Sequence, residues 1–409
     1  MVSMLKRYLT PAIETLCFAK HKIAMISGPR QCGKTTFAKM ILENRRAGQY
    51  HNWDDAEFRR TWARKPSSIV PRAERGRIPI VVLDEIHKDR LWKRNLKGIY
   101  DTLTSPCDFL VTGSARLNVF RRGSDSLMGR FFHFRLHPFS IREMEQKGVP
   151  EPDEAMGSIF RRPTRINPGL EKHLDSLMRF GPFPEPLFGR NDKSARLWRT
   201  THEQSVIRED LRDISRLPDL GRLELMASLI PERVGSLFSL NSLREDMDIS
   251  FDTLRRWLTY LKELYYLFEI KPYSRNITRS LRREGKVYLF DYAAVKDESA
   301  RFENLVACHL LKACHYWSDT GEGAFELFYL RDKEKREIDF LIVRDGIPWL
   351  PVEVKYRETD LSENWSRFIG MLPCKRAVQL VRKPTWTTHK VRDKEILVAG
   401  AAEALHGVV

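Results

Sequence analysis

The stretch Gly28-Pro29-Arg30-Gln31-Cys32-Gly33-Lys34-Thr35-Thr36 decides the fold of the first part of the chain. It fits G-x-x-x-x-G-K-[ST], a phosphate-binding loop whose backbone N–H groups cradle the oxygens of a nucleoside triphosphate. Working outward, Ile23-Ala24-Met25-Ile26 reads as a buried strand entering the loop, and Thr35 to Glu43 as the helix leaving it. In that setting Lys34 would neutralise the β and γ oxygens, and the Thr35 hydroxyl would ligate Mg²⁺. Downstream, Ile80-Val81-Val82-Leu83-Asp84-Glu85 is an apolar run ending in two carboxylates. Asp84 would hold Mg²⁺ through water. Glu85 would polarise the attacking water, as in P-loop enzymes that carry a base directly after the acidic metal residue.

Composition bounds the rest. A chain of 409 residues is too long for one ordinary core, so two to four domains are expected. A hydrophobic share of 42% excludes a disordered chain. No apolar run approaches the roughly 18 residues that span a bilayer, and Met1–Thr10 lacks the apolar core of a secretory signal. Lys and Arg total 70 against 54 acidic residues, and the resulting +16 favours polyanions such as DNA. The six cysteines show no paired spacing, which points to a reducing cytoplasm. Cys308-His309 and Cys314-His315 fit no common zinc spacing and read as core residues of a helix.

From Leu5 to about Phe139, short apolar runs alternate with amphipathic segments, the pattern of an α/β domain with a parallel sheet. Ile23–Ile26, Ile80–Leu83 and Phe109–Val111 are its clearest central strands. The third leads into Thr112-Gly113-Ser114, which places Ser114 either as a γ-phosphate sensor or as a strand-end cap. Pro138 to Pro168 reads as a connection or loose helical segment, followed by a helical region to about Leu217. Between Arg222 and Phe290 the order is helix, short helix, long helix and two strands. Asn241 and Ser250 are the expected N-caps of the second and third helices.

On the third helix Leu254, Trp257, Leu258, Leu261 and Leu264 form the apolar stripe, with Arg255 and Arg256 off it. This is the arrangement of a winged helix-turn-helix with wing strands Phe268–Lys271 and Lys286–Phe290. The tip between them carries Arg275, Arg279, Arg282, Arg283 and Lys286. Such a tip either tracks DNA phosphates or is a solvated face of a packing module.

Near the C-terminus, Arg336 to Val343 alternates as a strand, Asp345-Gly346 signals a tight turn, and Pro351 to Tyr356 returns. Side chains repeat every two residues, so Glu353 and Lys355 share a face, and the hairpin can bring Asp339 beside Glu353. Glu303, on the helical segment Ala300 to Cys314, would add a third carboxylate. The pattern D-x(n)-E-x-K resembles the restriction-endonuclease-like, PD-(D/E)xK, fold, with Ile338 in place of the proline. That resemblance implies a site in which Glu303, Asp339 and Glu353 hold Mg²⁺ and Lys355 orients the attacking water. The same fold also serves as a non-cutting DNA-binding or structural module.

Taken together, the chain resembles the AAA-family ATPases of AAA_14/DUF4143 architecture. The matching residues are Gly28–Thr36, Leu83-Asp84-Glu85-Ile86-His87, Thr112-Gly113-Ser114-Ala115, Ser126-Leu127-Met128-Gly129-Arg130, Leu136-His137-Pro138-Phe139-Ser140 and Glu337-Ile338-Asp339 with Glu353-Val354-Lys355. The resemblance implies ATP as the nucleotide, a homo-oligomeric ring such as a hexamer, and Arg130 either as an arginine finger or as a surface contact. The expected organisation is α/β. An AAA+ ATPase core over 1–145 is followed by a helical connection over 146–220, a winged helix over 221–295 and a nuclease-like domain over 296–409. The leading expected function is a DNA-stimulated oligomeric ATPase acting on DNA, including branched DNA of the Holliday-junction type. An ATP-regulated nuclease and an ATP-dependent protein-interaction switch are the alternatives.

Overall fold

The computed structural model describes residues 5–72, 77–113, 127–210, 219–274 and 284–409. Ser114, Arg275, Arg279, Arg282 and Arg283 lie outside the described residues. The chain divides into two compact units, Met1–Pro138 and Phe139–Val409.

The first unit is built on a parallel sheet of strands β1 (Ile23–Ser27), β2 (Gly48–Asn52), β3 (Ile80–Asp84), β4 (Asp108–Thr112) and β5 (Phe131–Arg135). The order across the sheet is β2-β3-β4-β1-β5. Strands β1, β3 and β4 are buried throughout, as their apolar composition requires of central parallel strands. Helices α1 (Lys34–Arg45), α2 (Ala56–Arg64) and α3 (Trp92–Asp101) cover the sheet. One face packs Ile23, Met25, Val81, Leu83, Phe109 and Val111 with Trp62 of α2 and Trp92 and Leu96 of α3. Because β4 separates β1 from β3, the phosphate loop and the acidic strand end sit two strands apart at the same end of the sheet. Ligands of open parallel sheets bind at that end, where connections diverge.

After two short helices, Ile141–Met144 and Pro152–Phe160, the second unit carries helices α4 (Pro168–Phe180), α5 (Asp192–Gln204) and α6 (Leu220–Leu229). The turn helix α7 (Leu240–Met247), helix α8 (Phe251–Glu263) and antiparallel strands β6 (Leu267–Pro272) and β7 (Lys286–Leu289) follow. Ser250 caps α8 as expected, its side chain accepting from the Thr253 N–H. Helix α7 is capped by Ser239 rather than Asn241, because Ser239 is the extended residue whose hydroxyl reaches the Ser242 N–H.

The long helix α9 (Glu298–Thr320) precedes strands β8 (Phe325–Arg331), β9 (Glu337–Arg344) and β10 (Ile347–Lys355), the short helix α10 (Asn364–Phe368), and strands β11 (Arg376–Val381), β12 (Trp386–Val391) and β13 (Lys394–Gly400). The hairpin β9–β10 turns on Asp345 and Gly346, both at positive φ (51° and 78°), the type I′ geometry that matches strand twist. Among the described residues the eight strands of this unit form one sheet, ordered β12-β13-β11-β10-β9-β8-β6-β7. The β6–β7 hairpin joins it through β6 and β8, so the sheet draws strands from both sides of position 295/296. Among the described residues no helix is long and apolar enough to cross a membrane.

Candidate functional site

The phosphate loop is shaped by two glycines for different reasons. A Cβ on Gly28 would lie 2.2 Å from the Leu136 carbonyl oxygen, so only glycine lets β1 turn beneath the segment after β5. Gly33 takes φ 98° immediately before α1, in the left-handed region. Beyond it the first N–H groups of α1 have no intrahelical acceptor and, with the helix dipole, favour anions. The buried Arg7 side chain supports the loop from below, donating to the carbonyls of Cys32, at 2.7 Å, and His137. Tyr8 adds a second tie, donating to the Arg135 carbonyl at 2.6 Å and accepting from the His137 N–H. Lys34 is buried and folds over the loop, its Nζ donating to the carbonyls of Gly28 at 3.0 Å and Pro29 at 2.7 Å.

Asp84 is the hub of the site. Its buried carboxylate accepts from Thr35 Oγ1 at 2.7 Å, from the Tyr50 hydroxyl at 2.7 Å and from the Thr112 hydroxyl. A hard hydroxyl oxygen and a hard carboxylate oxygen thus meet at the foot of a donor-rich loop, the donor set that a magnesium–triphosphate requires. Burial, then Asp84 itself, raises the Tyr50 phenol above its ordinary pKa, so it stays a donor to the carboxylate. Glu85 sits at φ 57°, an uncommon conformation for a residue with a side chain. Its N–H donates to the Thr112 carbonyl at 3.0 Å, which holds this backbone, and His87 Nε2 lies 3.6 Å from its carboxylate.

Tyr50 and Thr112 were not singled out from the sequence. Thr112 carried a signal, as the first hydroxyl after an apolar strand. Tyr50 lies in the polar run Gly48–Asn52 and carried none.

Arg130 lies at the far end of the same sheet. Its carbonyl accepts from the Ile23 N–H at the start of β1, whereas the phosphate loop follows the end of that strand. Its guanidinium is bound to Asp101 through two hydrogen bonds. It therefore lies remote from the loop of its own chain.

In the second unit the hairpin brings Asp339, Glu353 and Lys355 together. The Asp339 N–H donates to Glu353 Oε2 at 3.4 Å, the Val354 N–H donates to Asp339 Oδ2 at 2.8 Å, and Lys355 Nζ is 3.2 Å from Glu353 Oε1. Ser362 also donates to Glu353, at 3.2 Å. Glu303 of α9 approaches from the side and accepts from the Tyr288 hydroxyl at 2.7 Å. Burial, then the Asp339 charge, pushes Glu303 up to about 7 and Glu353 likewise to about 7. Burial opposes the Lys355 ammonium, but Glu353 beside it prevails and raises its pKa.

Two expectations are corrected here. Lys286 belongs to no exposed tip: it is 2% exposed at the start of β7, and its Nζ lies 2.9 Å from Glu337, 3.7 Å from Glu303 and 3.8 Å from Asp339. The three carboxylates expected to share a metal do not converge on one. No group of three or more His, Cys, Asp or Glu side chains among the described residues has a geometry that could hold a metal ion. Tyr288 and Ser362 were missed from the sequence, Glu337 was not given a site role, and Lys286 was assigned to the tip instead. Glu337 was legible, since it precedes Asp339 by two positions and shares its face.

The remaining expected residues separate clearly. Arg255 and Arg256 are exposed on α8, and Arg255 lines a cleft of 720 Å³ with Phe251, Thr259, Lys262 and Lys271. His309 is a core residue, accepting from the Ile141 N–H at 3.2 Å while its Nδ1 meets the Leu305 carbonyl at 2.8 Å. Burial lowers its pKa to about 4.

A parallel sheet with one strand between a glycine-lysine loop and an acidic strand end defines a P-loop nucleotide-binding domain. Comparison with known families places an AAA domain (AAA_14) on residues 20–145 and domains of unknown function on 171–296 (DUF8612) and 298–398 (DUF4143). The chain thus has the architecture of an AAA-family protein with a C-terminal DUF4143 domain. The uncharacterized proteins Mb2031c of Mycobacterium bovis and Rv2008c of Mycobacterium tuberculosis are each 22% identical over 269 residues, 66% of this chain and 54% of theirs. The chain therefore spans about half the length of these curated relatives. Among solved structures, the Walker-type ATPase of Pyrococcus abyssi is similar over 73% of this chain and 99% of its own, at 15% identity and a TM-score of 0.43.

Proposed function

We propose that the protein is a Mg²⁺-dependent ATP hydrolase that works as a homo-oligomer and couples its nucleotide cycle to bound DNA. The observation that carries the first half is the convergence of Thr35 and Asp84 beside Glu85. In this reading the loop N–H groups and Lys34 hold the triphosphate, Lys34 leaving the Gly28 and Pro29 carbonyls for the phosphate oxygens. Glu85 accepts the proton of the attacking water, while Thr112 and Tyr50 keep Asp84 aimed at the same point. Mg²⁺, held by Thr35 and Asp84, would neutralise charge on the β and γ phosphates. Arg130 lies at the opposite end of the sheet from its own loop, so an arginine-finger role is assigned to it only towards a neighbouring subunit.

DNA as partner is supported by the net charge of +16 and by the exposed Arg255 and Arg256 on the second helix of a helix-turn-helix. The test is ATP hydrolysis measured without DNA and with single-stranded, duplex, forked and four-way DNA. Stimulation by at least one form, with binding that weakens steeply as salt rises, is the expected result. Equal rates under every condition would reject the DNA half. Absence of hydrolysis would reject the first.

A further inference from the structure

The carboxylates of the nuclease-like domain already face a cation, and it belongs to the chain. Lys286 sits at the first position of β7, its ammonium buried and within 4 Å of carboxylate oxygens of Glu303, Glu337 and Asp339. Three acidic side chains from α9 and β9 therefore share one buried point charge. Arg331 adds a second cation to Glu337, and Lys355 a third to Glu353. An ammonium is compact and hydrogen-bonds in several directions at once, which suits a pocket walled by carboxylates.

A second cation brought into this space would meet the buried Lys286 ammonium at close range, among largely buried carboxylates, where repulsion between like charges is stronger than in water. One oxygen of each of three carboxylates is also engaged by a protein donor. Asp339 Oδ2 accepts from the Val354 N–H, Glu303 Oε1 from Tyr288, and Glu353 Oε1 from Ser362. With Lys286 in place, the cluster suits an ammonium and leaves no room for a divalent ion.

We infer that Lys286 is a tethered cation standing where a divalent metal would be needed, so that the C-terminal domain keeps a nuclease-like fold without metal-dependent cleavage. The lysine comes from the wing hairpin and the carboxylates from α9 and β9. The same contact therefore joins the helix-turn-helix part of the unit to the nuclease-like part.

The test uses the full chain without nucleotide, titrated with Mn²⁺ and followed by paramagnetic resonance and by thermal melting. The wild type is expected to bind no Mn²⁺ that depends on Asp339, so wild type and Asp339→Asn give the same titration. Lys286→Ala is expected to bind Mn²⁺ at least about tenfold more tightly than wild type, and to melt at higher temperature when Mn²⁺ is added. The double variant Lys286→Ala/Asp339→Asn should lose both effects. Lys286→Gln keeps hydrogen-bond donors without charge, and should show the same gain should the alanine variant fail to fold. Binding of Mn²⁺ by wild type that disappears in Asp339→Asn would overturn the inference. So would folded Lys286 variants that gain no Mn²⁺ binding, or wild-type nicking of supercoiled DNA that Glu353→Ala abolishes. Each outcome is independent of ATP hydrolysis.

Discussion

At the scale of single residues, Glu85 combines an uncommon backbone with a half-buried acceptor. Its left-handed φ is held by the Thr112 carbonyl, which leaves the carboxylate 25% exposed beside a buried Asp84. Replacing Glu85 with Gln keeps the shape and the backbone bond but removes the carboxylate proposed above as the base. ATP binding is expected to change little while turnover falls by about 10²–10⁴-fold, checked by equilibrium binding and steady-state hydrolysis. Asp108 presents a different case. Burial outweighs the nearby Arg45 and lifts its carboxyl to about 6, and Oδ1 has no hydrogen-bond partner. A raised native pKa means the folded state holds the proton more tightly than the unfolded chain. The resulting stabilisation is complete below the ordinary carboxylate value and is lost as pH rises through 6. The stability of Asp108→Asn relative to wild type is therefore expected to rise by about 1 kcal/mol between about pH 5 and about pH 8, measured by urea unfolding.

At the scale of elements, α9 is fastened by a buried ion pair. Lys312 Nζ lies 2.7 Å from Glu143 and 2.9 Å from the Ser140 hydroxyl, with both charged side chains 2% exposed. Lys312→Met strands a carboxylate in the interior and is expected to cost about 3–5 kcal/mol. The double variant Lys312→Met/Glu143→Leu should recover most of that loss in chemical denaturation, because no lone charge remains. Element by element, legibility in the sequence followed burial. Strands β1, β3 and β4 are apolar on both faces and announced themselves. Strands β2 and β5 carry polar or half-exposed residues at the sheet edges, and their runs Gly48–Asn52 and Phe131–Arg135 did not read as strands. The β9–β10 hairpin was legible through its turn and its alternation, which is why Asp339 and Glu353 could be paired in advance. Lys286 was misplaced because a lysine at the first position of a strand ordinarily reads as solvated. Only the carboxylates of α9 and β9, distant in sequence, explain its burial.

At the scale of the whole molecule, the position of Arg130 bears on assembly. Remote from its own phosphate loop, it would reach a triphosphate only across a subunit boundary. An equal mixture of Arg130→Ala and Glu85→Gln chains is therefore expected to hydrolyse ATP faster than either variant alone. In a mixed assembly an Arg130→Ala chain retains its own base and borrows the arginine of a Glu85→Gln neighbour. Additive rates from the two variants would place Arg130 outside the catalytic machinery, and size measurement with and without ATP would report the assembly itself. What the sequence could not convey at this scale was the single sheet of the second unit, because strand neighbours far apart in the chain leave no local periodic signal.

That sheet has a seam. Strand β6 meets β8 over only two register pairs, Lys271 with Phe328 and Pro272 with Tyr329, and a proline offers no N–H to the ladder. Its neighbours β8–β9 and β9–β10 are zipped over longer spans. Amide deuteration should therefore spread from this join before it reaches the strands on either side, dividing one sheet into two cooperative blocks. Lys286 ties those blocks across the seam through charge rather than backbone, so neutralising it should hasten exchange at Tyr273 and Tyr329 while leaving β11 and β13 protected.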